Sequence, residues 1–248
     1  AQRALPWNLV FEGKPISTSG PGEHIELAGP GIPRVTVLSP TPERLADLYA
    51  VWDKELERLR RKERDRADRE PAPSRSGTPS LLDLESVASR DTPTDRAVPN
   101  GSSIAILVEH QGASVLLAAD AFADVLVPAL KGLAQKRNVA GPLPLDAVKL
   151  SHHGSRANVT ADLIECVDAD HFIFSTNNAY FNHPNDEAVA RTIIHSPRKP
   201  TLWFNYHTER NQRWATEELR QRYGFKVQFP DDEATGVKLE LPWHRTAR

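Results

Sequence analysis

Methionine is missing altogether from the 248 residues. A chain read from its own start codon begins with one, so its absence, with Ala1 in first place, leads us to expect a fragment of a longer product. The alternative is a methionine-poor protein whose initiator was trimmed. Cysteine occurs once, as Cys166, which excludes an internal disulfide and suits a reducing, cytoplasmic compartment. No apolar run approaches the roughly 18 residues needed to span a bilayer, and the opening A-Q-R-A-L-P-W lacks the apolar stretch of a signal peptide. The chain is therefore read as soluble, with no membrane partner. Charge of one sign is lacking too: 31 Lys and Arg stand against 33 Asp and Glu, a formal charge of -2. Net charge thus gives no footprint for non-specific nucleic-acid binding, although a local patch is not excluded.

What is present is globular in kind, 39% apolar and 26% charged, in a chain long enough for one good core. Residues 5–38 read as short strands, L-P-W-N-L-V-F, H-I-E-L-A and R-V-T-V-L, separated by turns. Ser39-Pro-Thr-Pro-Glu starts a helix whose Leu45, Leu48, Tyr49, Trp52, Leu56 and Leu59 recur at helical spacing, which predicts one apolar face. Beyond Leu59 the run R-R-K-E-R-D-R-A-D-R-E reads as a solvated helix end. A nucleic-acid role for its arginines is the sharper reading, but the interleaved acids nearly cancel them. Pro71 to Pro99 is rich in Pro, Ser, Thr and Asp around one apolar island, Leu81-Leu82-Asp83-Leu84, and predicts a flexible insertion.

From Asn100 the pattern alternates. Strands 104–108 and 115–119 form a hairpin around Gln111-Gly112, followed by a helix over 124–137, a strand over 147–150 and a short helix over 160–166. A strand at 171–175 and a helix at 185–194 come next, then a strand at 201–204, a helix over 214–223 and strands at 226–229 and 236–241. This predicts an α/β fold with a layered sheet, divided as residues 1–59, 60–99 and 100–248.

Two stretches carry the chemistry. S-V-L-L-A-A-D-A ends an apolar strand at Asp120, and V-K-L-S-H-H-G-S ends another at His152 and His153. A carboxylate at a buried strand end is costly unless paired, hydrogen-bonded or bound to metal. The bland alternative is a helix N-cap. One helical crossover between the two strands would bring both ends to one edge of a parallel sheet, where carboxylate and imidazole make half of a divalent-metal site. Adjacent histidines in an extended loop point in opposite directions, so one is expected to ligate and the other to face substrate. Gly154 allows close approach of backbone, and Ser155 offers a cap or a contact to an anion. Asn177, after the strand ending I-F-S-T-N-N, is a candidate substrate contact at the same rim, and His183, in F-N-H-P-N-D-E, is a candidate there as a substrate contact or as an outer partner of the metal ligands. Capping of the next helix by the asparagines around His183 competes with that role. Cys166 reads as packing, and the remaining histidines as structural or exposed, His207 least clearly.

N-G-S-S-I-A-I-L-V-E-H-Q-G-A-S-V-L-L-A-A-D-A, then L-D-A-V-K-L-S-H-H-G-S, then I-F-S-T-N-N with N-H-P, resembles the C-terminal half of a metallo-β-lactamase-fold hydrolase of the ComEC-like type. The likeness covers about residues 100–194, with V-T-V-L-S-P-T near residue 40 also similar. It implies an αββα sandwich in which Asp120 bridges two metal ions, zinc or manganese, His153 ligates the second ion and His152 faces the scissile phosphate. It also implies nuclease or phosphodiesterase activity on nucleic acid or another phosphodiester. The family's first signature, H-x-H-x-D-H, is absent, and its Gly before the bridging Asp is Ala119 here. Two accounts fit: a separate N-terminal portion of the same metallo-hydrolase supplies the missing ligands, or the chain is a degenerate relative. The first is our expectation. A non-catalytic scaffold and a small ester or lactone hydrolase are the alternatives.

Overall fold

The computed structural model describes residues 8–66, 83–178, 181–232 and 236–241. Its frame is one mixed sheet of eight strands whose spatial order is the chain order. β1 (Ile25–Leu27), β2 (Arg34–Ser39), β3 (Ala105–His110) and β4 (Ala113–Leu117) pair antiparallel. β5 (Leu143–Lys149), β6 (Val167–Phe174), β7 (Thr201–Phe204) and β8 (Lys226–Gln228) continue from β4 in parallel. Between β2 and β3 come α1 (Pro42–Arg66), α2 (Leu84–Ala88) and α3 (Val98–Gly101). The parallel strands are joined in turn through α4 (Ala123–Lys136), α5 (Ala161–Glu165), α6 (Asp186–His195), and α7 (Glu209–Gln212) with α8 (Glu217–Tyr223). No helix among the described residues is long and apolar enough to cross a membrane.

Crossovers between parallel strands share one hand, so strands added steadily in one direction place their helices on one face. α4 packs on α5, α5 on α6, and α2 on α6. Under them lies a row of paired residues, Leu107, Leu116, Val148, Phe172 and Leu202, each at most 3% exposed. Burying each such side chain stabilises by about 1.5–3 kcal/mol. One residue further along, the register turns Ile106, Leu117, Lys149, Ile173 and Trp203 to the opposite face. That row is half-buried, and Leu117 is 38% exposed.

The turn at Gln111 and Gly112 has φ of 51° and 86°, the pair of positive angles that a tight hairpin requires. β5 and β6 begin earlier than the sequence predicts, at Leu143 and Val167. Three expectations are corrected. Leu9–Phe11 is a single 3-10 turn rather than a strand, because Asn8 and Glu12 on either side adopt left-handed angles; residues 5–7 lie outside the described residues. The strand expected over 236–241 does not form: its alternation finds no ladder partner, and the sheet ends at β8. The flexible insertion expected over 71–99 is instead ordered from Asp83 onward, while 71–82 lie outside the described residues. Asp83 caps α2 by accepting from the Ser86 amide, and Leu84 and Val87 are buried in the main core. Tyr223 holds the segment from the other side, accepting from the Leu84 amide at 3.1 Å and donating to Glu85 Oε2 at 2.6 Å. α1 forms as predicted and leans on α3, but Tyr49, Trp52 and Leu59 of its apolar face remain exposed.

Candidate functional site

Open parallel sheets bind ligands in the crevice beyond the carboxyl ends of their strands. The loops after β4, β5 and β6 meet there around a cleft of about 790 Å³, which Asp120, His152, His153, Ser155, Asn177 and His183 all line. The six candidate site residues therefore reach one place. The loops are stitched together: the His152 amide donates to Ala119 O at 2.8 Å, and Ser151 Oγ donates to Ala121 O at 2.6 Å.

Asp120 is not the cap of the following helix, since Phe122 occupies that position. Among the described residues its carboxylate makes no hydrogen bond. It acts on Lys149, whose half-buried ammonium is pushed down by burial and partly restored by Asp120. Ala119 before it has φ 49°, a left-handed angle that glycine takes without strain.

The histidine loop is not extended. His152 and His153 have φ of 46° and 58° and are followed by Gly154 at 83°. Because of this left-handed turn the two rings do not diverge to opposite sides, as the sequence predicts, but share the cleft with centroids 6.3 Å apart. Gly154 is required there, for a Cβ would stand 2.7 Å from Phe174 Cδ1 and 2.8 Å from Pro184 Cβ.

Each ring is held by one nitrogen. His153 Nδ1 donates to Ser175 O at 2.6 Å, leaving Nε2 as an acceptor on an exposed residue. His152 Nδ1 lies 3.1 Å from Asp95 Oδ2 and 3.2 Å from Asn158 Oδ1. Asp95 accepts besides from the Ala97 amide at 2.9 Å, Asn100 Nδ2 at 2.8 Å and Asn158 Nδ2 at 3.1 Å. Burial pushes the Asp95 carboxyl up, but these hydrogen bonds outweigh it and hold the group below the usual carboxylate range. An ionised carboxylate can only accept, so neutral His152 carries its proton on Nδ1 and turns the Nε2 lone pair outward.

His183 stands beside this pair, its ring centroid 5.2 Å from that of His152. Burial, and then the neighbouring His152 and His153, push its imidazole down to about 4, so it is neutral near pH 7. The capping asparagine expected nearby, Asn185, makes no side-chain cap to α6; its Oδ1 accepts from the Arg156 amide at 2.9 Å. Ser155 is 5% exposed and its hydroxyl accepts from the Ala157 amide at 3.2 Å, so it shapes the loop as well as lining the cleft. Asn177 is exposed at the rim. Cys166 is buried, and burial pushes its thiol up, in keeping with packing.

Sequence reasoning missed Asp95, Asn100 and Asn158. The first lies in the segment read as flexible, although the Asp83 cap before Leu84 and Val87 at i, i+3 spacing, and Val98-Pro99 with proline at a helix start, were signals of order. Glu55, Arg58 and Leu59 of α1 also reach the cleft rim.

As to metal, the donor chemistry fits in part: Asp120 and His153 Nε2 both remain available to a cation. Among the described residues, however, no group of three or more His, Cys, Asp or Glu is placed to hold an ion. Comparison of the chain with protein-family models, with curated proteins and with solved structures found no match.

Proposed function

We propose that this chain is the C-terminal half of an αββα metallo-hydrolase that cleaves phosphodiester bonds once a separate N-terminal portion supplies the remaining metal ligands. One observation carries the reading: the carboxyl-end loops of consecutive parallel strands gather Asp120, His152, His153 and His183 around a single cleft. The sheet supports the sandwich, since helices cover one face while the other presents half-buried Ile106, Ile173 and Trp203 and exposed Leu117, a surface suited to a second sheet.

Asp120 and His153 would hold zinc or manganese together with ligands from the partner. The bound ions would polarise the phosphate and lower the pKa of a water. The chain's own residues do the rest. With Nδ1–H held by Asp95, the Nε2 of His152 takes a proton from a water; the resulting imidazolium, balanced by that carboxylate, donates to a phosphate oxygen or to the leaving group. His183, held neutral, hydrogen-bonds without adding charge. Nucleic acid, or another phosphodiester, is the substrate class.

Combining the chain with the N-terminal portion and assaying DNA, RNA and a generic phosphodiester with added zinc or manganese tests this. Metal-dependent cleavage that disappears in Asp120→Ala and in His153→Ala is expected; cleavage unchanged in both variants removes the site assignment. A second reading is a binding module with a degenerate metal site, which a cleft offering only the Asp120 and His153 donors on one side also suits. It requires that no stoichiometric metal be present even with the partner bound.

A further inference from the structure

Arg191, on α6, is 6% exposed and forms no ion pair among the described residues, yet every one of its five N–H donors is engaged. Nε donates to Ala88 O at 3.1 Å. Nη1 donates to Arg156 O at 2.8 Å and Val159 O at 3.1 Å, and Nη2 to Arg90 O at 2.6 Å and Thr92 Oγ1 at 3.1 Å. The acceptors lie in two stretches of chain, the end of α2 with the loop after it, and the loop before α5. One, 88–92, runs directly into Asp95; the other, 156–159, contains Asn158. Thr92 Oγ1 joins the two by donating to Arg156 O at 3.0 Å. The side chains that these loops carry forward, Asp95 and Asn158, are the nearest to His152 Nδ1, at 3.1 and 3.2 Å, with Asn100 Nδ2 further off at 3.4 Å.

We infer that Arg191 is a positioning residue which, by clamping these two loops at a fixed separation, dictates which nitrogen of His152 carries the proton. It touches neither the ring nor the cleft and acts through Asp95 and Asn158. A planar fork with five donors suits this task because a lysine ammonium has three, too few for four carbonyls and a hydroxyl in these directions. The same clamp explains why a segment of loop-like composition is ordered beside the site. The inference concerns the ring of His152 and stands apart from which substrate the cleft takes.

The test is 15N NMR of the histidine rings of the whole chain at about pH 8.5, above the ordinary imidazole range, with His152 assigned by its loss in His152→Gln. The wild-type ring is expected as the single Nδ1–H tautomer. In Arg191→Lys it should become a mixture, and the Ala97 amide, which donates to Asp95, should exchange at least about tenfold faster while amides of β6 and β7 keep their protection. Thr92→Val, which removes one clamp contact and the link between the loops, should move the ring in the same direction by less, and Asp95→Asn should move it directly. A His152 ring still fully Nδ1–H in folded Arg191→Lys overturns the inference. So does protection lost evenly across the sheet, which would make Arg191 a general core residue. Should Arg191→Lys fail to fold, Thr92→Val decides: a shifted ring upholds the inference and an unchanged one refutes it.

Discussion

Replacing Gly154 by alanine adds a single methyl group at the point where the histidine loop passes closest to the core. Two costs combine. An alanine at φ 83° is forced into left-handed backbone, at about 1–2 kcal/mol. Its Cβ would also lie 2.7 Å from Phe174 Cδ1 and 2.8 Å from Pro184 Cβ, and neither can swing aside. Phe174 is fully buried and stacked on Phe204 at 5.0 Å, and Pro184 is a buried ring. Overpacking of this kind costs about 1–3 kcal/mol. The substitution stiffens the unfolded chain, which returns roughly 0.4–1 kcal/mol. The net destabilisation is about 2–4 kcal/mol, a large share of a typical domain's 5–15 kcal/mol. Urea denaturation followed by tryptophan fluorescence should show a lower midpoint at unchanged slope. A variant within about 0.5 kcal/mol of wild type would refute the packing described around this loop, since that is the range of ordinary surface changes.

Asp95→Ala strips an acceptor from His152, Asn100, Asn158 and the Ala97 amide at once, and a loss of about 2–3 kcal/mol by denaturant titration is expected. On the sheet, Leu116→Ala should cost about 2–5 kcal/mol, whereas Leu117→Ala on the opposite face should cost under about 1 kcal/mol in the isolated chain. Leu117→Glu should leave that chain folded and yet weaken its association with the proposed N-terminal portion in titration calorimetry. His183 ordinarily titrates near 6.5 and is pushed down to about 4 in the fold, so between those values the unfolded chain binds the extra proton. Stability should fall as pH is lowered from 6.5 towards 4 and level off below, and His183→Gln should flatten that slope in urea titrations at stepped pH.

The parallel half of the fold is legible because its strands carry apolar stretches bounded by polar turns, and because α4 and α6 each bury one apolar face. Asp120 and His153 could be brought to one cleft on paper, since a single crossover between parallel strands has little choice of geometry. The turn of the two histidines towards the same cleft could not. It depends on consecutive left-handed residues, which side-chain type alone does not announce in histidine. Asp95 was hidden for a different reason: beyond the short helical signals at Asp83 and Val98-Pro99, its segment is held by contacts distant in sequence, from Arg191 and Tyr223. The 236–241 stretch shows the converse, a strand-like alternation that pairs with no strand among the described residues.

The proposed completion of a metal site is tested most directly by equilibrium dialysis of the chain, with and without the proposed N-terminal portion, followed by elemental analysis for zinc and manganese. We expect little retained metal in the chain alone, stoichiometric metal in the complex, and its loss on Asp120→Ala or His153→Ala. A complex that assembles and carries no metal, or carries as much after both substitutions, contradicts the account.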